Sequence, residues 1–147
     1  MNETTIVLTD EPSEADRAII SDGLARFNEE QAGYRDWRPL AALVKDPVTF
    51  ETIGGMYGRT SYGLLVIDLV YLTPSHRGQE LGTRLLEMME TEAMTRGCLA
   101  GFLQTITFQA PGFYAKRGWT EFGRISSGPP GTARVFFRKD FLTGAAA

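Results

Sequence analysis

Seven consecutive residues, Arg77-Gly78-Gln79-Glu80-Leu81-Gly82-Thr83, are of the types from which an anion cradle is built. They follow a β-branched apolar run and open a segment with helical apolar spacing, so they lie at a strand-to-helix turn. Glycines let the backbone turn tightly and bring its N–H groups close to a ligand. The helix N-terminus adds unpaired N–H donors and the positive end of its dipole. Together these suit a pyrophosphate. On its residues alone, the segment reads equally well as a strand–helix turn with no ligand. It is not a nucleotide-triphosphate loop, because no Gly-Lys-Ser/Thr is present. It is not a dinucleotide fingerprint either: the glycine spacing differs, and no second parallel strand carries a ribose-binding acid at the expected distance.

Three other side chains could do chemistry. Asp68 interrupts the apolar run Leu64-Leu65-Val66-Ile67-Asp68-Leu69-Val70. A carboxylate desolvated in such a strand has its pKa raised, as a general base requires. A salt bridge or hydrogen bond to a neighbouring strand accounts for it equally well. His76 is the only histidine, and just before the loop it reads as a surface residue or phosphate neighbour rather than a base. Cys98, the only cysteine, sits in the apolar run Cys98-Leu99-Ala100 and reads as a buried structural thiol. One cysteine allows no internal disulfide, and with one histidine a metal cluster is not expected.

The elements that must position these groups fit one domain of 147 residues with 43% apolar and 22% charged residues, an ordinary globular composition. Net charge is −3 and no basic run stands out, which argues against nucleic acid and anionic membrane as partners. The N-terminus does not read as a signal peptide, and no window approaches the roughly 18 apolar residues of a membrane span. A cytoplasmic protein is the expectation.

Along the chain, Thr4 to Leu8 reads as a first strand. Asp10-Glu11-Pro12-Ser13 carries helix-start chemistry, and Ala15, Ile19, Ile20, Leu24 and Phe27 recur at helical spacing to about Glu30. Residues 33–39 form a loop or a short second helix. Strands follow at Leu40–Lys45, Thr49–Tyr57 and Leu64–Leu72, joined by turns short enough for antiparallel hairpins. A helix runs from about Leu81 to Arg96, where Gly97 stops it. A strand over Leu99–Thr105, a short helix over Pro111–Arg117, and strands over Trp119–Ser126 and Thr132–Lys139 complete the order. The strand–helix–strand unit over 64–105 is expected to be a right-handed parallel crossover. The fold class is α/β: a mixed, mostly antiparallel sheet with helices on both faces.

Two motifs now connect. Arg77, Gly82 and the Leu85-Leu86 pair match Arg/Gln-x-x-Gly-x-Gly/Ala after a strand and into a long helix. Phe113-Tyr114-Ala115-Lys116-Arg117-Gly118-Trp119 matches Phe-Tyr-x-x-x-Gly-Phe on the short helix after the next strand. In this order the sequence resembles the GNAT superfamily of acyl-CoA N-acyltransferases over about Thr4 to Phe141. It looks closest to small bacterial members with Gly-Arg-Thr-Ser in a hairpin and Phe-Gln-Ala-x-x-Phe-Tyr near the end. One position departs: the first glycine of the loop signature is Glu80 here. A carboxylate facing the phosphates repels them, so the side chain is expected to point to solvent.

The resemblance implies acetyl-CoA as co-substrate, no metal, and direct acetyl transfer to a primary amine. Cofactor contacts are implied for Val70 and Leu72 at the end of the third strand, and for Arg77, Gly78, Gln79, Leu81, Gly82 and Thr83. Tyr114 matches the superfamily tyrosine near the CoA sulfur, where a phenol can donate to the leaving thiolate. Asp68 matches the acid that many members carry in this strand. By the resemblance Phe27, Tyr34 and Trp37 lie where one wall of the acceptor pocket is formed, and on their residues alone they read equally well as core. The expected acceptor is a small-molecule amine of open identity, and a homodimer is possible. The alternatives are a non-catalytic acyl-CoA-binding module and a structural or dimerisation domain.

Overall fold

The computed structural model describes residues 3–78 and 80–141. Within them the elements run α1 (Glu14–Ala32), β1 (Arg38–Lys45), β2 (Thr52–Ser61), β3 (Leu64–Tyr71), a 3-10 turn (Pro74–His76), α2 (Leu81–Thr95), β4 (Ala100–Ile106), α3 (Pro111–Ala115), β5 (Thr120–Ser127) and β6 (Thr132–Asp140). The chain divides into two compact units at Asp36/Trp37.

The first unit is the helix α1 and the segment before it. Ser13 accepts a hydrogen bond from the Asp16 N–H while the Asp16 carboxylate accepts from the Ser13 N–H, a complete capping box. Gly33 closes the helix at a φ of 89°. Its apolar residues Ile19, Ile20, Leu24 and Phe27 are all exposed. The strand expected over Thr4–Leu8 does not form: among the described residues these have no ladder partner, and Ile6 and Leu8 are almost fully solvated. β-propensity reflects packing against neighbours, and without a neighbour it has no effect.

The second unit is a six-stranded sheet in the order β1-β2-β3-β4-β6-β5. Every pairing is antiparallel except β3 with β4, which is the parallel crossover expected around α2. β2 starts later than its sequence suggests. The Asp46 carboxylate accepts from the N–H groups of Val48 (2.8 Å) and Thr49 (2.9 Å), which holds 46–49 in a turn and lowers the Asp46 pKa. α3 stops at Ala115 rather than Arg117. The loop over 33–37 contains no second helix.

α2 buries Gly82, Leu85, Leu86, Met89, Glu90 and Ala93, the i, i+3, i+4, i+7 stripe of an amphipathic helix, and packs against β1, β2 and β3. Leu86 and Met89 are each 1% exposed, beside Met56, Leu65 and Val135. Truncating such a side chain to alanine costs about 2–5 kcal/mol. Cys98 belongs to this core, as expected. Glu90, the buried carboxylate, is ion-paired with Lys139 (2.7 Å) and accepts from the Trp119 indole (3.3 Å). At the far end of α2, Arg96 donates to the Pro39 carbonyl and the Thr60 hydroxyl, both at 3.1 Å. The helix is thereby fixed to β1 and β2.

Two irregularities in β3 shape the functional end of the sheet. Tyr57 faces Leu69 while Gly58 faces Ile67, so Asp68 is the extra residue of a β-bulge. A Cβ on Gly58 would lie 2.0 Å from the Val66 carbonyl oxygen, so only glycine allows β2 so close an approach there. Beyond the bulge the sheet splits. β3 and β4 pair only from Leu64↔Ala100 to Ile67↔Leu103. Past that point β3 follows β2, and β4 follows β6. A wedge opens between them.

Candidate active site

The loop after β3 begins at Leu72, whose carbonyl accepts from the Arg77 Nε at 3.0 Å. His76, half-buried, is tied by its Nδ1 to the Thr73 hydroxyl at the 3-10 turn and lines neither of the two cavities at this end of the sheet. Gly78 turns the chain at a φ of 77°, and a Cβ there would meet nothing within 4 Å, so the loop is open on that side. Gln79 lies outside the described residues. Glu80 takes the left-handed conformation, φ 59° and ψ 9°, as the N-cap of α2, and its side chain caps nothing. This is where the family signature has glycine, and the backbone angle shows why: a side chain in that region costs roughly 1 kcal/mol. Glu80 is exposed at the rim of the site. The first-turn N–H groups of Leu81, Gly82 and Thr83 have no helical acceptors, by the geometry of any α-helix.

Above this loop lies a cavity of about 440 Å³. Val70, Leu72, Arg77, Gly78, Gly82 and Thr83, all expected cofactor contacts, line it together with Glu80, Phe113, Tyr114 and Arg117. Leu81 opens α2 half-buried and is not part of the lining. Gly82 has a packing reason of its own: a Cβ there would sit 3.2 Å from two atoms of the Phe113 ring. Arg117 stacks on the same ring, 3.9 Å from the Phe113 centroid. Its Nε donates to the Thr83 hydroxyl at 2.7 Å, and its Nη1 donates to the Phe113 carbonyl at 2.9 Å. Arg117 thus binds α3 to the start of α2 and brings a second cation to the cradle beside Arg77. Sequence reasoning assigned it no role, because it occupies a variable position of the second motif.

Tyr114 is 5% exposed, packed edge-on to Phe113 (5.1 Å) and Trp119 (6.4 Å) and tilted against Phe137 (6.0 Å). Burial pushes its phenol up to about 12. It lines both the cradle cavity and a second cavity of about 420 Å³ in the wedge between β3 and β4. The second cavity also contains Asp68, Gln104, Thr105 and Gln109. Asp68 is not the desolvated carboxylate that its apolar strand suggests. The bulge leaves it exposed, and both its oxygens accept from Arg59 Nη1, at 3.0 and 2.8 Å. The neighbouring-strand salt bridge, the other reading of this residue, is therefore present. The aromatic residues Phe27, Tyr34 and Trp37 are each more than half exposed.

The two cavities share Val70, Ala110 and Tyr114 in their linings. The sequence pattern of the acetyltransferase (GNAT) domain matches residues 40–121, and the chain belongs to that family: it is a GNAT-type acetyltransferase. It is 32% identical to an acetyltransferase of Agrobacterium fabrum over 129 residues, covering 88% of this chain and 93% of the relative. It is 37% identical to the blasticidin-S acetyltransferase of Streptomyces morookaense over 82 residues, covering 55% of this chain and 60% of that one. A crystal structure of an Agrobacterium tumefaciens protein described as an acetyltransferase superposes with a TM-score of 0.86 at 28% identity, over 94% of this chain and 100% of the other. The mixed, mostly antiparallel sheet with helices is thus the GNAT fold. Among the described residues no helix is long and apolar enough to cross a membrane.

Proposed function

We propose that this acetyltransferase moves an acetyl group from acetyl-CoA directly to the primary amine of a small molecule. One observation carries the reading: Tyr114 lies at the junction of the two cavities, and its hydroxyl makes none of the hydrogen bonds found among the described residues. The cradle fits the anionic end of CoA. Its open loop at Gly78, the uncapped N-terminus of α2, Arg77 and Arg117 all favour a pyrophosphate. Residues 68–71 of β3 have lost their β4 neighbour, so their wedge-side amides and carbonyls are available to the amide-bearing arm of the cofactor.

Bound acetyl-CoA supplies an activated acetyl thioester, whose carbon forms the new C–N bond while its C–S bond breaks. Asp68 holds the incoming ammonium and takes its proton, directly or through a water, so that the attacking nitrogen is neutral. Tyr114 hydrogen-bonds the sulfur as charge builds on it. A phenol near 12 does not surrender its proton to a thiolate whose conjugate acid lies near about 8.5. The amine gives up two protons in all: one to Asp68 before attack, which passes on to solvent, and one from the nitrogen of the tetrahedral adduct, which ends on the sulfur, so the tyrosine remains a phenol throughout. No covalent enzyme intermediate is needed, which accords with a buried Cys98 that lines neither cavity. All of these groups lie in the second unit.

The test is thiol release from acetyl-CoA over a panel of primary amines, with calorimetry for CoA and acetyl-CoA on the same preparation. Release above background for at least one amine supports acetyl transfer. Tight acetyl-CoA binding with no release across the panel favours the non-catalytic binding module. No binding of either ligand at millimolar concentration removes the cofactor assignment.

A further inference from the structure

α1 has the local chemistry of a stable helix and nothing in its own unit to pack against. Ile20, Leu24 and Phe27 recur at the i, i+4, i+7 spacing of an apolar stripe, with Ile19 beside it, and each is more than half exposed. None of the described residues before Trp37 is buried. Below roughly 40 residues a segment rarely forms a core alone, so the stripe needs a surface to cover it.

The second unit has a surface of the matching kind. α2 packs on the face of the sheet that carries Met56. Side chains alternate along a strand, so Leu43, Tyr57, Leu69 and Tyr71 lie on the opposite face. The register joins them: Leu43 and Tyr71 both face Gly55, and Tyr57 faces Leu69. All four are about half exposed or more. Gly55 has no side chain to set between Leu43 and Tyr71, and these residues line a shallow hollow of about 150 Å³. Soluble single chains rarely leave apolar patches of this kind bare.

Both surfaces are exposed in one chain, so the cover that each needs comes from outside it. Charge indicates which surface meets which. The first unit holds nine acidic and three basic residues, the second nine acidic and twelve basic. Between two copies, like units repel and unlike units attract. Size agrees. At roughly 100 Å² for each half-exposed large side chain, the eight residues of one helix-to-sheet contact hide about 800 Å². Two reciprocal contacts hide about 1,600 Å², the area of a stable specific interface. We infer that the protein is a two-fold dimer in which α1 of each copy lies across the bare sheet face of the other. Leu69 and Tyr71 also line the second cavity, together with Asp68, so the partner's helix borders that cavity.

The test is the mass in solution of the full chain, by size-exclusion chromatography with light scattering from micromolar to submillimolar concentration. Wild type should run as two chains. Leu24→Glu puts a charge in the helix stripe, and Tyr57→Glu puts one in the sheet face. Each substitution enters both contacts of a two-fold dimer, so the dissociation constant should rise by at least roughly 100-fold, and both variants should run as single chains. Both positions are exposed within one chain, so the circular dichroism of each variant should match wild type; Phe27→Glu serves if Leu24→Glu does not fold. A wild type that runs as a single chain throughout this range would overturn the inference. If the melting temperature of such a single chain fell in both variants, each helix would be covering its own sheet instead. A dimer that survives either substitution would also overturn the inference, because another surface would then hold it.

Discussion

Gly82 is where the two family motifs touch, and enlarging it tests whether they form one clamp. A methyl at this position would lie 3.2 Å from the Cε1 and Cζ of Phe113 and 3.7 Å from a Leu72 methyl. Phe113 cannot easily retreat, because the Arg117 guanidinium covers it at 3.9 Å and that arginine is itself held by Thr83 and the Phe113 carbonyl. For Gly82→Ala two effects oppose each other. The ring must give by a few tenths of an ångström, while replacing a helical glycine by alanine gains up to about 1 kcal/mol. The net change should be close to zero. Gly82→Val adds two further carbons into the same contact and a β-branched side chain to a helix. Overpacking of this kind costs about 1–3 kcal/mol. At about 2–4 °C per kcal/mol for a chain of this size, the melting temperature should fall by roughly 2–12 °C. Acetyl-CoA affinity should fall with it, because the displaced ring carries Arg117 away from the cradle. Thermal melts and calorimetry on the three proteins read both effects. A valine variant with wild-type melting temperature and wild-type affinity would show that Phe113 is not clamped, and that the Arg117 contacts do not hold the cradle.

Glu80→Gly removes both a left-handed side chain and a carboxylate at the rim, so it should raise the melting temperature slightly and tighten CoA binding, with the gain in affinity shrinking at high salt; unchanged affinity at low salt would mean the carboxylate does not feel the phosphates. Tyr114→Phe should lower turnover while leaving CoA affinity close to wild type, and wild-type turnover would reduce Tyr114 to packing. Because its folded pKa is raised to about 12 from 10.0, its stabilising contribution is complete below about pH 10 and is lost as pH rises through 12; a phenolate absorbance titration should show one late-ionising tyrosine that is missing in the phenylalanine variant. Asp68→Asn breaks an exposed pair that contributes about 1 kcal/mol at most, so it should fold normally, while turnover falls by roughly 10²- to 10⁴-fold if Asp68 takes the amine's proton. Full activity would exclude it from the mechanism.

The parts of this enzyme that were legible in its sequence are those fixed by local chemistry. Ser13 announces α1 because an N-cap satisfies its own first turn. The loop over 77–83 is readable because a strand end, glycines and a helix start are adjacent in the chain. Tyr114 is readable because its motif spans only a few residues. What escaped depends on partners distant in sequence. Asp68 seemed to lie in an apolar interior, yet a register shift against Tyr57 and Gly58 brings it to the surface. Thr4–Leu8 has the composition of a strand and, among the described residues, no neighbour to pair with. Arg117 acquires its place only when α3 meets α2, and the direction of the Gln109 amide is decided by the Ile106 N–H.

The split between β3 and β4 has one more consequence. Four residue pairs hold these strands together, and beyond Ile67↔Leu103 each has a bare edge facing the other across the wedge. A bare edge is normally a liability, since alternate amides along it have no partner. On the reading proposed above, the amide-rich arm of the co-substrate would fill this gap in the manner of a short extra strand, and the sheet would be continuous only when loaded. Hydrogen exchange at residues 68–71 should therefore report cofactor occupancy more directly than any other stretch of the chain. On the same reading, the free energy of unfolding should follow the supply of the co-substrate, rising with the logarithm of that concentration once it exceeds the dissociation constant.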